Sequence, residues 1–316
     1  MSQAETWTVG RLLTWTTDFL QKHDSETPRL DAEVLLAHAR GCERIALYTA
    51  FGEEVSEEVR GQFRELVKKR SEGMPVAYLV GKKEFFSLSF KVTPDVLIPR
   101  PETEFVVMAA LDVLRPGPRK GSGFRLQASE EESGESKNPQ SAIRNPQLAD
   151  VGTGSGCIAI AVAKHAPQAS LVATDVSAAA LAVARENAQA HQVADRLEFH
   201  QGDLLSMLPA QRQFDLIVSN PPYIGTTEQG TLAPQVRQHE PHSALFGGER
   251  GIETIARLIP QAAERMKPGG WLILEVSPLV ADAVLQLIVA SDVFEPAGLS
   301  KDLAGLVRVI QARRRL

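Results

Sequence analysis

The chain has 316 residues, enough for one large or two ordinary domains, and its 43% hydrophobic and 23% charged content is that of a soluble globular protein. A net charge of −5 gives no general electrostatic reason to expect a nucleic-acid partner, and two cysteines, Cys42 and Cys157, are too few for a disulfide framework or a thiolate metal cluster. The opening residues MSQAETWTVG carry no basic segment followed by an apolar run, and no stretch of about 18 apolar residues occurs. A cytoplasmic chain with no membrane partner and no metal is expected.

Helical patterns come first. Val9-Gly10-Arg11-Leu12-Leu13 leads through Trp15 to Phe19-Leu20, and Leu30 to His38 repeats apolar residues at three-to-four spacing until Gly41. A third pattern, Ser56 to Ser71, puts Val59, Phe63, Leu66 and Val67 on one face. Residues 1–73 therefore read as a small helical bundle. His23, His38 and Trp15 stand isolated in these helices and are assigned packing or solvated positions.

From Pro75 the period changes. Val76 to Val80 runs to Gly81, and Glu84 to Val92 alternates, so residues 74–95 are expected to form a β-hairpin linker ahead of a second domain at 96–316. Pro99 and Pro101 then hold the chain extended before a helix of about Glu102 to Leu114, whose early carboxylates suit a helix N-terminus. Arg100, Glu102 and Glu104 read either as a capping cluster or as residues lining a site. Residues 115–147, rich in glycine and charge and carrying Asn-Pro-Gln twice, have too little periodic apolar surface to offset ordering and are expected to be a disordered or surface insertion.

Order returns at Leu148 to Val151. That strand, the turn Gly152-Thr153-Gly154-Ser155-Gly156 and the helical run Cys157 to His165 form the first unit of a nucleotide-type α/β fold, in which the glycines let a ligand approach the backbone. Cys157 stands where a dinucleotide fingerprint has its last glycine. Asp175 ends the next strand, Ser170 to Thr174, where a carboxylate can accept the hydroxyls of an adenosine ribose, and Ser177 caps the helix Ala178 to His191. A third strand, Arg196 to His200, ends near Asp203, placed to meet an adenine amino group, with Leu204 covering the ring. Phe214 to Ser219 is the fourth, and it stops at Asn220-Pro221-Pro222-Tyr223. Two prolines cannot donate ladder hydrogen bonds, so the chain leaves the sheet as a stiff turn carrying a side-chain amide, a proline carbonyl and an aromatic face.

The remainder completes a sheet. Gly251 to Met266 reads as an amphipathic helix, Trp271 to Val276 as a fifth strand and Leu279 to Val289 as a helix. Segments near Val293 and at Leu306 to Gln311 would be the last two strands, with an antiparallel arrangement open. His239-Glu240-Pro241-His242 lacks the spacing of a helical metal site.

Gly152 to Gly156, Asp175 and Asp203 resemble the S-adenosyl-L-methionine site of class I methyltransferases, which implies a seven-stranded Rossmann-like α/β sheet. Asn220-Pro221-Pro222-Tyr223 is similar to the motif of members that methylate a planar exocyclic or amide nitrogen. More narrowly, Pro28 to Glu33, Pro75 to Tyr78, Glu84-Phe85 and Leu97 to Glu104 resemble the PrmC/HemK family, the peptide chain release factor N5-glutamine methyltransferases. The likeness continues through Glu240-Pro241, Leu245 to Glu249, Lys267 to Gly270 and Asp302 to Gly305. The chain departs from the pattern in the 115–147 insertion and after Glu275, where Val276-Ser277-Pro278-Leu279 replaces an expected glycine and glutamine.

The resemblance implies that cofactor contacts come from Gly152, Thr153, Gly154, Ser155, Gly156, Asp175, Asp203, Leu204 and Asn220. Asn220, Pro221 and Tyr223 would carry the chemistry, with Pro222, Arg100 and Glu102 also lining the substrate. The substrate would be the glutamine of the Gly-Gly-Gln motif in class I release factors, met by a monomer. A glutamine nitrogen is a poor nucleophile because its lone pair is delocalised into the carbonyl. The Asn220 side-chain oxygen and the Pro221 carbonyl are two acceptors suited to the two protons of one NH₂, while Tyr223 would stack on the amide plane. Two alternatives stay open: methylation of exocyclic amino groups of DNA or RNA bases, and an inactive module that only binds the cofactor.

Overall fold

In the computed structural model, which describes residues 6–114 and 145–316, the chain forms two units, Met1–Lys82 with Ala233–His239, and Lys83–Leu232 with Glu240–Leu316. The first is helical: Val9–Gln21, Pro28–Arg40, Ala46–Thr49, Glu57–Ser71, Val76–Val80 and Pro234–His239. Thr8 and Ser56 cap two of these helices by accepting the amides of Arg11 and Val59, and Gly41 closes a third in the left-handed region. Their apolar faces meet in a core of Val9, Leu13, Leu20, Leu35, Leu36, Leu47 and Phe63.

Two buried carboxylates fasten this unit. Asp31 accepts Arg70 Nε at 2.7 Å together with the hydroxyls of Ser25 and Thr27. Glu33 receives Arg29 and the Tyr48 hydroxyl. Burying a carboxylate is costly unless it is paired and hydrogen-bonded, and both are.

Val76–Val80 is a helix, not the first half of a hairpin. A five-residue apolar run cannot be told from a strand by periodicity, and here Pro75 precedes it while left-handed Gly81 ends it. The hairpin strands are β1 (Lys82–Phe85) and β2 (Leu88–Lys91), turned by Phe86 and Ser87 at φ 50° and 60°.

The second unit is built on a seven-stranded sheet. Its strands are β3 (Gln147–Val151), β4 (Ser170–Asp175), β5 (Leu197–Gln201), β6 (Phe214–Ser219), β9 (Met266–Glu275), β10 (Gly298–Lys301) and β11 (Val307–Arg313); the short β7 (Ile224–Gly225) and β8 (Phe246–Gly248) pair with each other elsewhere. The order is β10-β11-β9-β6-β3-β4-β5, parallel from β9 to β5, with β11 antiparallel to both β9 and β10. The expected strand near Val293 is a single bridge between Phe294 and Arg314, and the edge strand lies at Gly298–Lys301 instead. The sequence bounds of the expected insertion fall almost wholly outside the described residues; Gln147 at its end begins β3 and pairs with Ser170.

Chain order reverses between β3 and β6. Such a switch point opens a crevice beyond the carboxyl ends of those strands. Apolar layers cover both faces of the sheet, one including Val106, Ile160 and Leu216, the other Ile217, Leu258 and Leu274. Asp215, the one charged residue in β6, sits at the strand's start, where it accepts the Gln147 amide and Lys267 Nζ, each at 2.8 Å. It therefore ties β3 and β9 to β6.

Candidate functional site

The crevice at the strand ends is lined by Gly152, Thr153, Gly154, Ser155, Cys157, Asp175, Asp203, Leu204, Asn220 and Pro222, together with Arg100, Thr103 and Arg257. Gly152 and Gly154 have φ of 73° and 55°, and nothing lies within 4 Å of where a Cβ would project from either. The turn thus leaves backbone open to the cavity. It is held from behind by Asp150, fully buried, whose Oδ2 accepts the Thr153 hydroxyl at 2.6 Å and the Ala159 amide at 3.2 Å. Burial lifts the Asp150 carboxyl to about 6, against the pull of those two bonds.

Asp175 accepts the amides of Gly154 and Ser177, each at 2.9 Å, which fixes the carboxylate between the glycine turn and the next helix. Burial raises its pKa, opposed by these backbone bonds. An ionised carboxylate retains further lone pairs for two hydroxyls. Beside it, Val176 remains 53% exposed and also lines the cavity, while Leu204 is held at φ 55°, a conformation uncommon for a non-glycine residue. Carboxylate, open glycine backbone and apolar walls suit an adenosine bearing a small charged tail. Asp203 lines the same cavity, its Oδ2 bound by Arg257 at 2.5 Å.

Gly156 lies in the expected turn, at φ 82°, but packs on Ile160 and Ala184 and does not line the cavity. Cys157 is buried, and desolvation pushes its thiol up to about 12, so it is an inert neutral group.

At the end of β6, Asn220 donates Nδ2 to the Thr103 hydroxyl at 3.1 Å. Thr103 is 2% exposed, and the Tyr223 hydroxyl donates at 3.2 Å to Oε1 of Glu275, the last residue of β9. Burial lifts the Glu275 carboxyl to about 7, partly countered by Thr103 and Tyr223, while Glu102 raises it further and Arg308 lowers it. The Tyr223 hydroxyl is raised as well, by burial and then by the Glu275 charge. Neither Tyr223 nor Pro221 lines the cavity; Pro222 does. The Pro222 carbonyl is packed against Gly247, where a Cβ would come within 2.2 Å of it. Only glycine fits there.

Arg100 lines the cavity and pairs with buried Glu240 at 2.5 Å, whose other oxygen takes the Ile98 amide. This explains Glu240-Pro241 without a metal: among the described residues no group of His, Cys, Asp or Glu could hold an ion. Glu102 is not a lining residue, though its charge reaches Tyr223 and Glu275, and Glu104 caps the Phe86 amide. Sequence reading assigned no role to Thr103, Glu275, Asp150 or Arg257. The available signal was a buried carboxylate at the carboxyl end of a strand, Glu275 as the last residue of β9 and Asp150 as the last but one of β3.

Among the described residues no helix is long and apolar enough to cross a membrane. Residues 11–81 match the family model of the PrmC N-terminal domain, and residues 138–238 match that of the methyltransferase small domain. The chain is 44% identical over 308 residues to the release factor glutamine methyltransferase of Rhodopirellula baltica, covering 98% of this chain and 97% of that one. It is 37% identical to the enzyme of the same name from Geobacter sulfurreducens, covering 98% of each. Its fold is similar to that of the hMettl16 catalytic domain, at a TM-score of 0.52 and 15% identity over 78% of this chain and 81% of that one. The chain belongs to the release factor glutamine methyltransferases, enzymes that methylate glutamine.

Proposed function

We propose that the protein transfers the methyl group of S-adenosyl-L-methionine to the side-chain nitrogen of the glutamine in the Gly-Gly-Gln motif of class I release factors. The observation that carries this reading is the state of Asn220. With Nδ2 anchored on Thr103, the opposite end of the amide is the acceptor Oδ1. An acceptor at that place recognises an N–H donor.

The cavity residues divide the work. Asp175 and the backbone of Gly152 to Gly154 would hold the adenosine of the cofactor, with Val176 and Leu204 as apolar walls and Asp203 toward the base. When bound, the cofactor supplies an electrophilic methyl on a sulfonium. Asn220 Oδ1 and the Pro221 carbonyl would accept the two N–H bonds of the substrate amide; the Pro222 carbonyl is already packed on Gly247. Accepting both protons turns the nitrogen lone pair out of conjugation and favours the charge that develops on nitrogen. Holding the nitrogen in line supplies effective concentration worth up to about 7–11 kcal/mol in favourable cases. Tyr223, anchored by its hydroxyl, would support the amide plane. The excess proton leaves to water after transfer, and no dedicated base is required.

Family membership favours the release factor over a nucleobase substrate, and the helical unit of 1–73 is proposed to contact that protein. Labelled cofactor offered with a release factor should label the intact protein, while a release factor with alanine in place of the Gly-Gly-Gln glutamine should remain unlabelled. Equal labelling of both would overturn the reading.

A further inference from the structure

We infer that Asn187, which does not line the cavity, is a positioning residue for the cofactor: its one side-chain amide fastens the glycine turn at Ser155 to the strand that leads into the Asp95 to Arg100 wall of the cavity. The inference rests on the proposed function only in taking this cavity for the cofactor's.

Asn187 lies in the helix Ala178–Ala190 and is 2% exposed. Its Nδ2 donates to the Ser155 carbonyl at 2.9 Å and to the Lys91 carbonyl at 3.0 Å, and its Oδ1 accepts the Lys91 amide at 2.7 Å. Both protons of the NH₂ are thereby used, and the side chain meets the N–H and C=O of Lys91 as a neighbouring strand would. One turn earlier on the same helix face stands Ala184, and a Cβ added to Gly156 would lie 3.2 Å from the Ala184 Cβ. The helix thus packs on the turn at Gly156 and bonds it at Ser155.

Lys91 ends β2, and a few residues on, Asp95, Val96, Leu97, Pro99 and Arg100 line the cavity. That wall belongs to no strand of the large sheet. Arg100 and the Ile98 amide fasten its far end to Glu240, and Asn187 fastens its near end. Ser155 lines the cavity too, so one side chain sets the spacing between turn and wall. The chemistry selects asparagine. Ionised aspartate lacks both donors, glutamine carries them one methylene too far, and an aliphatic residue leaves two buried carbonyls unmet.

Two readouts on the full-length protein test this: cofactor Kd, and the Gly156 backbone amide resonance without cofactor, because the Ser155 carbonyl and the Gly156 amide share one peptide group. The control is His191→Ala, which removes the 2.8 Å bond from His191 Nε2 to the Ser89 carbonyl and so loosens the end of the same helix from the same hairpin without touching the turn. Asn187→Ala should shift the Gly156 resonance and weaken cofactor binding about tenfold through the lost buried hydrogen bonds. His191→Ala should leave the resonance in place and Kd within about twofold. Asn187→Asp should bind weakly at pH 8, as an acceptor facing two acceptors, and regain affinity relative to the parent toward pH 5.5 as the buried carboxyl takes up a proton it can donate. An unmoved Gly156 resonance in Asn187→Ala, or the same cofactor Kd in Asn187→Ala and His191→Ala, would overturn the inference. If Asn187→Ala does not fold, Asn187→Asp decides it, and an affinity ratio to the parent that stays flat between those pH values would overturn it equally. Neither readout needs release factor, so a failure to methylate release factor would strike the proposed function alone.

Discussion

Asn220 joins the two parts of the chemistry, so its removal should separate them. Asn220→Ala is expected to lose at least about 100-fold in kcat while cofactor Kd stays within a few-fold; near-normal turnover would take Asn220 out of the mechanism. Glu275 makes a second, opposite-signed prediction. Its folded pKa is raised from 4.5 to about 7, so between those values the native state binds more protons than the unfolded chain. Stability therefore falls as pH rises through that window, by about 3 kcal/mol in all. Glu275→Gln has no such titration. Its Nε2 can occupy the position of Oε2, which has no partner, leaving Oε1 to accept from Tyr223. Denaturant midpoints should show Glu275→Gln more stable than the parent at pH 8 and indistinguishable from it at pH 4. Of these residues, Asn220 was legible because an amide followed by two prolines has few uses in a sheet. Thr103 and Glu275 were not legible as partners of Asn220 and Tyr223, because Thr103 lies 117 positions from Asn220 and a sheet pairing brings Glu275 to the end of β6, and no local pattern records either contact.

At the scale of elements, most strands and helices declared themselves through apolar period, turn glycines and caps. The exceptions were short. Val76–Val80 had too few residues to show a helical period, and β10 at Gly298–Lys301 is an edge strand of mixed polarity whose pairing with β11 decides it. The loop through β8 shows why the motif Leu245 to Glu249 carries two glycines: the chain passes directly over the Pro222 carbonyl at Gly247. Gly247→Ala is expected to displace that carbonyl, cost about 1–3 kcal/mol of stability and reduce kcat, with cofactor affinity spared. Asp175→Ala should do the reverse, weakening cofactor binding by roughly 1.5–3 kcal/mol, about 10- to 100-fold, because charge-assisted hydrogen bonds are lost. Isothermal titration of the two variants distinguishes these outcomes; matching losses of affinity would contradict the division of roles.

For the whole molecule, two units with separate cores imply separable failures. Breaking the buried Asp31–Arg70 pair with Asp31→Ala should destabilise the helical unit by about 3–5 kcal/mol, visible by calorimetry, while cofactor binding in the other unit persists. Loss of cofactor binding in that variant would show that the units are not independent in this way. Composition left one or two domains open, and the family-level resemblance of the sequence is matched along nearly its full length by release factor glutamine methyltransferases. The central claim concerns the acceptor of the methyl group. Purified protein should be given labelled S-adenosyl-L-methionine together with release factor, tRNA, rRNA and duplex DNA, and every labelled species mapped by mass. The account predicts label on the glutamine of the Gly-Gly-Gln motif and nowhere else; label confined to nucleic acid, or cofactor binding with no transfer at all, would contradict it.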